Sequence, residues 1–421
     1  MMRLVFRRYR VGDEEHIAAL LRKCFDTYRR FGLTGDEWLE YARVDPGFST
    51  ELSYVVELEG RVVSHVQIVE KRLRTTLGVV RTAGVANVST DPEHRGRGLA
   101  TSLLKKALSD CEGAGYALSA LFTEYASRPQ RIYRRLGFTD VRLSGRFRSL
   151  VDDVRPLHPG RVEVTEEDGL PRAVHELYEE RGDSFAGWPV RSEQEWREKV
   201  VKRVFIHSFH YVDKREGLVA VAREGGDVVG YAVGAPSPWD KESFLVVELV
   251  SARGRPAALA ALLGRLVERS AEAGRKVMVV EAPSTHEYRW ALEGLAYERG
   301  SGVFMANLLS LRALFDQAKE SIEARLSERP VPRIGIRLTV KGESATLRLG
   351  EGELEITDSP ADAEVRMPAS VFNKLLFGVL PPVRALMHSK VKCNVSLRRL
   401  ADSLGAIFTP RKFHIWAPDR W

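Results

Sequence analysis

The sequence predicts an α+β protein with mixed sheets, built as two tandem copies of one plan followed by a third module of different character. Three observations carry that reading. A β-like run, Arg81–Thr90, enters a glycine-rich turn, Arg95-Gly96-Arg97-Gly98-Leu99-Ala100, and an apolar-striped helix leaves it. A second run, Phe244–Val250, enters Arg253-Gly254-Arg255-Pro256-Ala257-Ala258-Leu259 in the same manner. Beyond about residue 330, runs of alternating polarity point instead to antiparallel strands.

The elements follow in order. Met1–Cys24 reads as a strand and then a helix. Gly12-Asp13-Glu14-Glu15 opens that helix with acidic residues at the positive end of its dipole, and Ile17, Leu20, Leu21, Cys24 and Phe25 form its apolar stripe. Tyr54–Leu58 and Arg61–Val69 are short strands around Glu59-Gly60, a tight hairpin turn. After the turn at Arg95–Ala100, apolar residues at Leu99, Leu103, Leu104, Ala107 and Leu108 keep helical spacing. Ala117–Thr123 is apolar enough for a buried strand, and Ile132-Tyr133-Arg134-Arg135-Leu136-Gly137-Phe138 follows it. Val151–Arg161, with two prolines, a glycine and no periodicity, reads as a linker.

In the second copy an apolar-striped helix runs through Leu262, Leu263 and Leu266. Lys276–Glu281 is a strand, and Tyr288 and Gly294 stand where Tyr133 and Gly137 stood. Pro256 replaces Gly98 there; it brings no N–H group, though proline is welcome in a helix's first turn. The last segment opens with the helix Arg312–Leu326, broken at Glu328–Arg333. Strands Ile334–Val340, Glu343–Leu349 and Glu351–Thr357 come next, turning at Lys341-Gly342 and Gly350. Helices at Pro368–Leu376 and Pro381–Met387, and one ending near Leu404, complete it. The expected domains are residues 1–152, 160–308 and 309–421.

The turn at Arg95–Ala100 carries the chemistry. Glycines at the start of a helix let backbone N–H groups approach a ligand closely, and those groups, at the positive end of the dipole, bind phosphate oxygens. Arg95 and Arg97 add charge of the right sign. The local physics describes a diphosphate cradle. It is not a P-loop, since no Gly-Lys-Ser/Thr follows, and Thr101 stands where a dinucleotide fold has its third glycine.

Arg95-x-x-Gly98-x-Ala100 resembles the acetyl-CoA loop of GNAT acyltransferases, and Tyr133-x-x-x-Gly137-Phe138 resembles a motif common at this place in that family. The order β-α-β-β-β-loop-α-β-α-β over the first 150 or so residues matches the family plan. The end of the chain, with Met367–Gly378, resembles a sterol carrier protein-like module. Two GNAT folds, the second degenerate and without a cofactor loop, plus such a module resemble the Eis-like N-acetyltransferases over essentially the whole chain. That likeness implies an acetyl-CoA-dependent N-acetyltransferase for a small, possibly aminoglycoside-like, amine. It implies Tyr133 as general acid and the carboxylate of Trp421 as general base. It also implies a symmetric homo-oligomer, a hexamer or trimer.

Cofactor contacts are expected at Val88, Ser89, Thr90, Arg95, Gly96, Arg97, Gly98, Leu99, Ala100 and Thr101. A backbone N–H among Val88, Ser89 and Thr90 can polarise the thioester oxygen. Asp26, Asp36, Glu37 and Glu124 could lend negative charge to the amine pocket, each also readable as a solvated surface acid. Phe413–Trp421 is aromatic to its last residue, so Trp416 and Trp421 suit burial; Arg420 departs from the acid that would attract a polycation. Two other readings stay open, an apolar-ligand carrier with the first two domains as scaffold and a protein-lysine acetyltransferase.

Bulk properties narrow the class. The chain has 421 residues, 44% hydrophobic and 29% charged, which suits a globular protein of two or three domains. The net charge of +7 comes from basic residues interleaved with acids along the whole length, which argues against nucleic-acid binding and suits a polyanionic cofactor. The N-terminus shows no apolar run behind its charge, and no stretch approaches membrane-spanning length; neither a secretion signal nor membrane insertion is expected. Cys24, Cys111 and Cys393, far apart in sequence, suit a reducing, cytoplasmic setting and read as small core residues. No Cys/His spacing suggests a metal.

Overall fold

In the computed structural model, residues 4–155, 157, 160–197, 204–207, 210–212, 217–329 and 331–421 are described. The expectations at Met1–Arg3, at parts of the linker and at Pro330 lie outside them. The chain divides into two compact units. The first holds residues 1–142, 303–410 and Trp421, and the second holds 143–302 and 411–420. The units are thus not contiguous in sequence: residues 309–410, expected as a separate domain, group with the N-terminal segment.

The chain begins with β1 (Leu4–Arg8), α1 (Glu14–Cys24), α2 (Asp26–Phe31) and α3 (Gly35–Val44). Sequence reading missed α2 and α3. Both are short, and Gly32 in the left-handed region ends α2. Thr34 caps α3 in a reciprocal box with Glu37. Asp13 precedes α1 without capping it; its carboxylate instead accepts from the Arg7 guanidinium and the Arg10 N–H.

Three antiparallel strands follow, β2 (Phe48–Leu58), β3 (Arg61–Arg74) and β4 (Val79–Thr90). Glu59 and Gly60, both at positive φ, turn the first hairpin as expected. After the glycine turn come α4 (Leu99–Gly113), β5 (Leu118–Glu124), α5 (Arg128–Arg135) and β6 (Thr139–Leu150). Strand β5 lies parallel to β4, and the sheet order is β1-β2-β3-β4-β5. Leu103, Leu104, Ala107 and Leu108 bury the inner face of α4, as their spacing predicts.

The second unit repeats this plan. It contains β7 (Glu163–Glu166), α6 (Arg172–Gly182), β8 (Phe185–Ala186), β9 (Val204–His207), β10 (His210–Val212), β11 (Leu218–Glu224), β12 (Asp227–Pro236) and β13 (Ser243–Ser251). Then come α7 (Pro256–Glu272), β14 (Val277–Val280), α8 (His286–Ala291) and β15 (Ala296–Leu308), whose residues from Val303 on belong to the first unit. Its order β7-β11-β12-β13-β14, antiparallel except for the parallel β13·β14 pair, is that of β1 to β5. Strand β14 is flanked by β6 and β5 by β15, so each repeat's last strand ends in the other unit.

The remaining residues form α9 (Leu311–Glu328), β16 (Ile334–Val340), β17 (Glu343–Leu349), β18 (Leu354–Thr357) and β19 (Ala363–Met367). After these come α10 (Ala369–Leu376), α11 (Pro382–Leu386), β20 (Lys392–Cys393), α12 (Leu397–Ile407) and β21 (Lys412–Phe413). The sheet order is β18-β17-β16-β19-β20, with the strands β16 and β17 as expected and the short β19 and β20 unforeseen. Strand β21 pairs in parallel with β8.

Candidate active site

Strand β4 builds the site. Asn87 takes the left-handed conformation (φ 53°) and the register against β3 slips there, a bulge that re-aims the strand's last residues. Tyr28 donates to Asn87 Oδ1 at 2.7 Å and fastens the bulge to α2. The parallel pairing with β5 covers only Thr82–Gly84 against Leu118–Ala120, although β4 runs on to Thr90 and β5 to Glu124. Past Gly84 the two strands fork.

The glycine turn sits at the end of β4. Asp91 caps the 3-10 turn Pro92–His94 by accepting from the Glu93 N–H at 3.1 Å. Gly96 (φ 82°) and Gly98 (φ 75°) occupy the left-handed region, and no atom lies within 4 Å of where a Cβ would stand on either. Gly98 is the N-cap of α4 and brings no side chain. Among the described residues no partner takes the N–H groups of Leu99, Ala100 or Thr101. A row of orphan donors at the positive end of a 15-residue helix therefore faces open space, which fits a diphosphate.

These residues line a cleft of about 600 Å³. Of the expected cofactor residues, Val88, Ser89, Thr90, Arg95, Gly96, Gly98, Leu99, Ala100 and Thr101 line it; Arg97 does not. Arg95 is engaged elsewhere as well: its Nε donates to the Thr90 carbonyl at 3.1 Å and ties the turn to the strand. Sequence reading missed Arg128, Arg131 and Arg135, which line the same cleft. Their i, i+3, i+7 spacing on α5 was the available signal. Cys24, expected in the core, is half-buried in the cleft wall with Sγ 3.4 Å from the Thr90 carbonyl. Cys111 is buried as expected, and Cys393 is half-buried.

Tyr133 projects from α5 into the same cleft. It is 8% exposed, and its hydroxyl makes no hydrogen bond among the described residues. Burial holds the phenol's pKa well above its ordinary value, so it stays a neutral proton donor.

Trp421 sits at the fork. Its Nε1 donates to the Ala120 carbonyl at 3.3 Å, and its ring meets Phe122 edge-on at 5.3 Å. Gly84 makes the space: a Cβ there would stand 2.6 Å from two indole atoms. The expected burial of Trp416 also holds, at 0% exposure. Arg420 is met by Glu281 at 2.5 Å, which offsets its charge. The candidate acceptor acids lie apart from the cleft lining. Asp26 pairs with Arg29, Glu37 closes the α3 capping box, Asp36 is in the first turn of the same helix, and Glu124 is exposed at the end of β5.

The corresponding turn in the second unit differs. Pro256 begins α7. Glu287 Oε1 accepts the Gly254 N–H at 3.4 Å, and its other oxygen is held by Arg181. Tyr288 is fully buried and donates to the Leu249 carbonyl at 2.9 Å. Among the described residues no group of His, Cys, Asp and Glu could hold a metal ion, and no helix is long and apolar enough to cross a membrane.

Residues 5–141 match the family model of the acetyltransferase (GNAT) domain. These residues form an acetyltransferase domain, and the fork, the glycine turn and Tyr133 all fall within them. A search of curated sequences finds no match. Solved structures align end to end at low identity. A GCN5-related N-acetyltransferase from Anabaena variabilis is 15% identical, with 100% of both chains covered and a TM-score of 0.70. One from Kribbella flavida is 17% identical, covering 100% of this chain and 99% of that one, with a TM-score of 0.69. Eis1 from Mycobacterium abscessus is 16% identical, with 100% of both chains covered and a TM-score of 0.61. The chain shares their fold along its whole length.

Proposed function

We propose that the chain is an acetyl-CoA-dependent N-acetyltransferase acting on the amino group of a small molecule. The observation that supports this best is the cleft itself: the end of β4, the donor-rich start of α4 and the Tyr133 phenol face one volume. Acetyl-CoA bound there supplies an acyl group activated as a thioester.

The chain's own residues do the rest. The orphan amides of Leu99, Ala100 and Thr101 hold the diphosphate oxygens, and Arg128, Arg131 and Arg135 add positive charge. Val88–Thr90, released from β5, present main-chain groups to an extended ligand arm as an added strand would. One of their N–H groups stabilises the carbonyl oxygen as charge grows on it. An alkylammonium has a pKa of about 10, so a base must first take its proton. We assign that role to the carboxylate of Trp421, whose indole is seated at the fork. The amine nitrogen bonds to the acyl carbon, the C–S bond breaks, and the nitrogen sheds its second proton to solvent. Tyr133 gives its proton to the departing thiolate and is reprotonated from solvent. Holding both reactants in one cleft supplies much of the rate.

In this reading the second repeat is a degenerate GNAT fold that binds no cofactor, since Pro256 brings no N–H group and Glu287 already takes the Gly254 N–H. Residues 309–421 are a sterol carrier-like module, and the assembly is a cytoplasmic homo-oligomer. The test is release of free thiol from acetyl-CoA across a panel of amines, with lipid extraction of the purified protein beside it. Thiol release dependent on both amine and Tyr133 supports the proposal. No release with any amine, and no heat on titration with coenzyme A, overturns it.

A further inference from the structure

The second unit carries a cleft of about 690 Å³ that acyl transfer as described does not use. Its floor is one face of the sheet. Arg148 of β6 stands opposite Val279 of β14, and Val279 stands opposite Leu245 of β13, so the three share one row across adjacent strands. Side chains in such a row point to one face. All three line the cleft, as do Arg146 and Val247, two residues away along β6 and β13. The wall beyond β13 is the turn that joins β12 to β13, with Trp239, Asp240 and Glu242. Every one of these residues belongs to the second unit.

The turn holds its own shape. The Asp240 carboxylate accepts from the Ser243 N–H at 2.7 Å, the Glu242 N–H at 2.9 Å and the Ser237 hydroxyl at 3.1 Å. The Ser237 N–H donates to the Ser243 carbonyl at 2.8 Å. Against the upward push of partial burial, those donors keep the Asp240 carboxyl below the usual range, so it is charged. Two other charges in the lining are spent: Glu281 is paired with Arg420 at 2.5 Å, and Arg146 is met at 3.4 Å by Glu298. Arg148, half-buried, and Glu242, exposed, have no hydrogen-bond or ionic partner among the described residues. The cleft is therefore dipolar. A free guanidinium stands on the β6 side, carboxylates stand on the turn side, and Val279, Leu245 and Val247 lie between them. A partly desolvated guanidinium gains most from an anion that meets its planar fork.

We propose that this cleft binds a small zwitterion of the amino-acid class with an apolar side group. Its carboxylate sits on Arg148, its ammonium faces Asp240 and Glu242, and its side group covers Val279 and Leu245. The two charged walls are two to three strand spacings apart, about 10–14 Å between backbones, before their side chains reach inward. The volume falls within the range of about 300–1,000 Å³ that small-molecule sites occupy. A ligand with a single charge fares worse in either sense. A simple anion meets repulsion from two carboxylates, and a simple amine meets it from Arg148. The acyl-transfer reading plays no part in this assignment.

The test is calorimetric titration of the full chain with leucine and phenylalanine. Two relatives of phenylalanine that carry one charge each, N-acetylphenylalanine and phenethylamine, are titrated beside them. The expected result is a Kd of about 1 mM or tighter for at least one of the amino acids, with each single-charge relative weaker by about 10-fold or more. Arg148→Met should weaken amino-acid binding by about 10-fold and erase the difference between phenylalanine and phenethylamine. Arg148→Lys, which keeps the charge and loses the fork, should recover part of that loss. Glu242→Gln should weaken amino-acid binding several-fold. Near-UV circular dichroism checks that each variant folds as the wild type does. If Arg148→Met does not fold, Glu242→Gln, at an exposed side chain, decides by the same titrations. No binding of either amino acid up to about 10 mM overturns the proposal. Equal binding of N-acetylphenylalanine and phenylalanine, or undiminished binding in the variants, overturns it as well.

Discussion

Gly84→Ala is the sharpest single perturbation of the site. A methyl group on Gly84 would stand 2.6 Å from Cε2 and Nε1 of the Trp421 indole and 2.8 Å from Cδ1, well inside contact distance. The backbone there is locked into the ladder on both sides, opposite Val69 and Ala120, and cannot yield. The indole must move instead. Overpacking of this kind costs about 1–3 kcal/mol. Set against the seated position of Trp421, that is a loss of about 5- to 150-fold in seated population. Because the indole can turn aside about its own side-chain bonds, little of the cost should reach the sheet. The expected outcome is a kcat lower by that factor, a coenzyme A affinity within twofold of wild type, and loss of protection at the Trp421 indole N–H. Thiol release from acetyl-CoA and calorimetry with coenzyme A measure the first two, and indole proton exchange the third. Full turnover with a demonstrably displaced indole would refute the placing of the base on Trp421.

Four further outcomes follow from the same coordinates. Tyr133→Phe should lower kcat by about 10²- to 10⁴-fold at unchanged coenzyme A Kd, the range for losing a positioned proton donor; equal turnover removes Tyr133 from the mechanism. Gly98→Ala puts a Cβ on a residue at φ 75°, where space is open but the backbone resists by about 1 kcal/mol, so calorimetry should show coenzyme A binding weakened several-fold with Tyr133 chemistry intact. Titration of the intact chain with coenzyme A should saturate at one equivalent; two would show that the loop at Gly254 binds after all. His65, fully buried with Nε2 2.9 Å from the Ser53 hydroxyl, has its pKa pushed down to about 3 by burial, from an ordinary 6.5. The unfolded chain takes up this proton and the folded chain does not, so stability should fall as pH drops from about 6.5 toward 3, by an amount on the order of 4 kcal/mol. His65→Gln should flatten that part of the acid-unfolding curve, and an unchanged slope would show that other groups govern it.

Much of the site was readable because its elements are local. The run into β4, the two left-handed glycines and the stripe of α4 obey spacings that need no tertiary information. Tyr133 followed from its distance to Gly137 and Phe138, and Pro256 marked the second turn as different. What escaped depends on partners distant in sequence. Glu287 is an ordinary acid until the fold sets it against Gly254. Arg191 gives no sign that it will meet Glu248 and Asp419. The grouping of residues 309–410 with the N-terminal segment, and the seating of β6 and β15 ends in exchanged units, are facts of packing, not of period. Glu37 looked available as a pocket acid, but its capping box with Thr34 satisfies it locally.

The fork between β4 and β5 has a further consequence for solubility. Strands that stop pairing expose bare ladder edges, and such edges template association with foreign chains. In this sheet the bare edges are internal, and the Trp421 indole sits where they part. Placing the bare edges inside the sheet, with an indole against one of them, shields the gap from such association, where many proteins depend on lysine or proline along an outer margin.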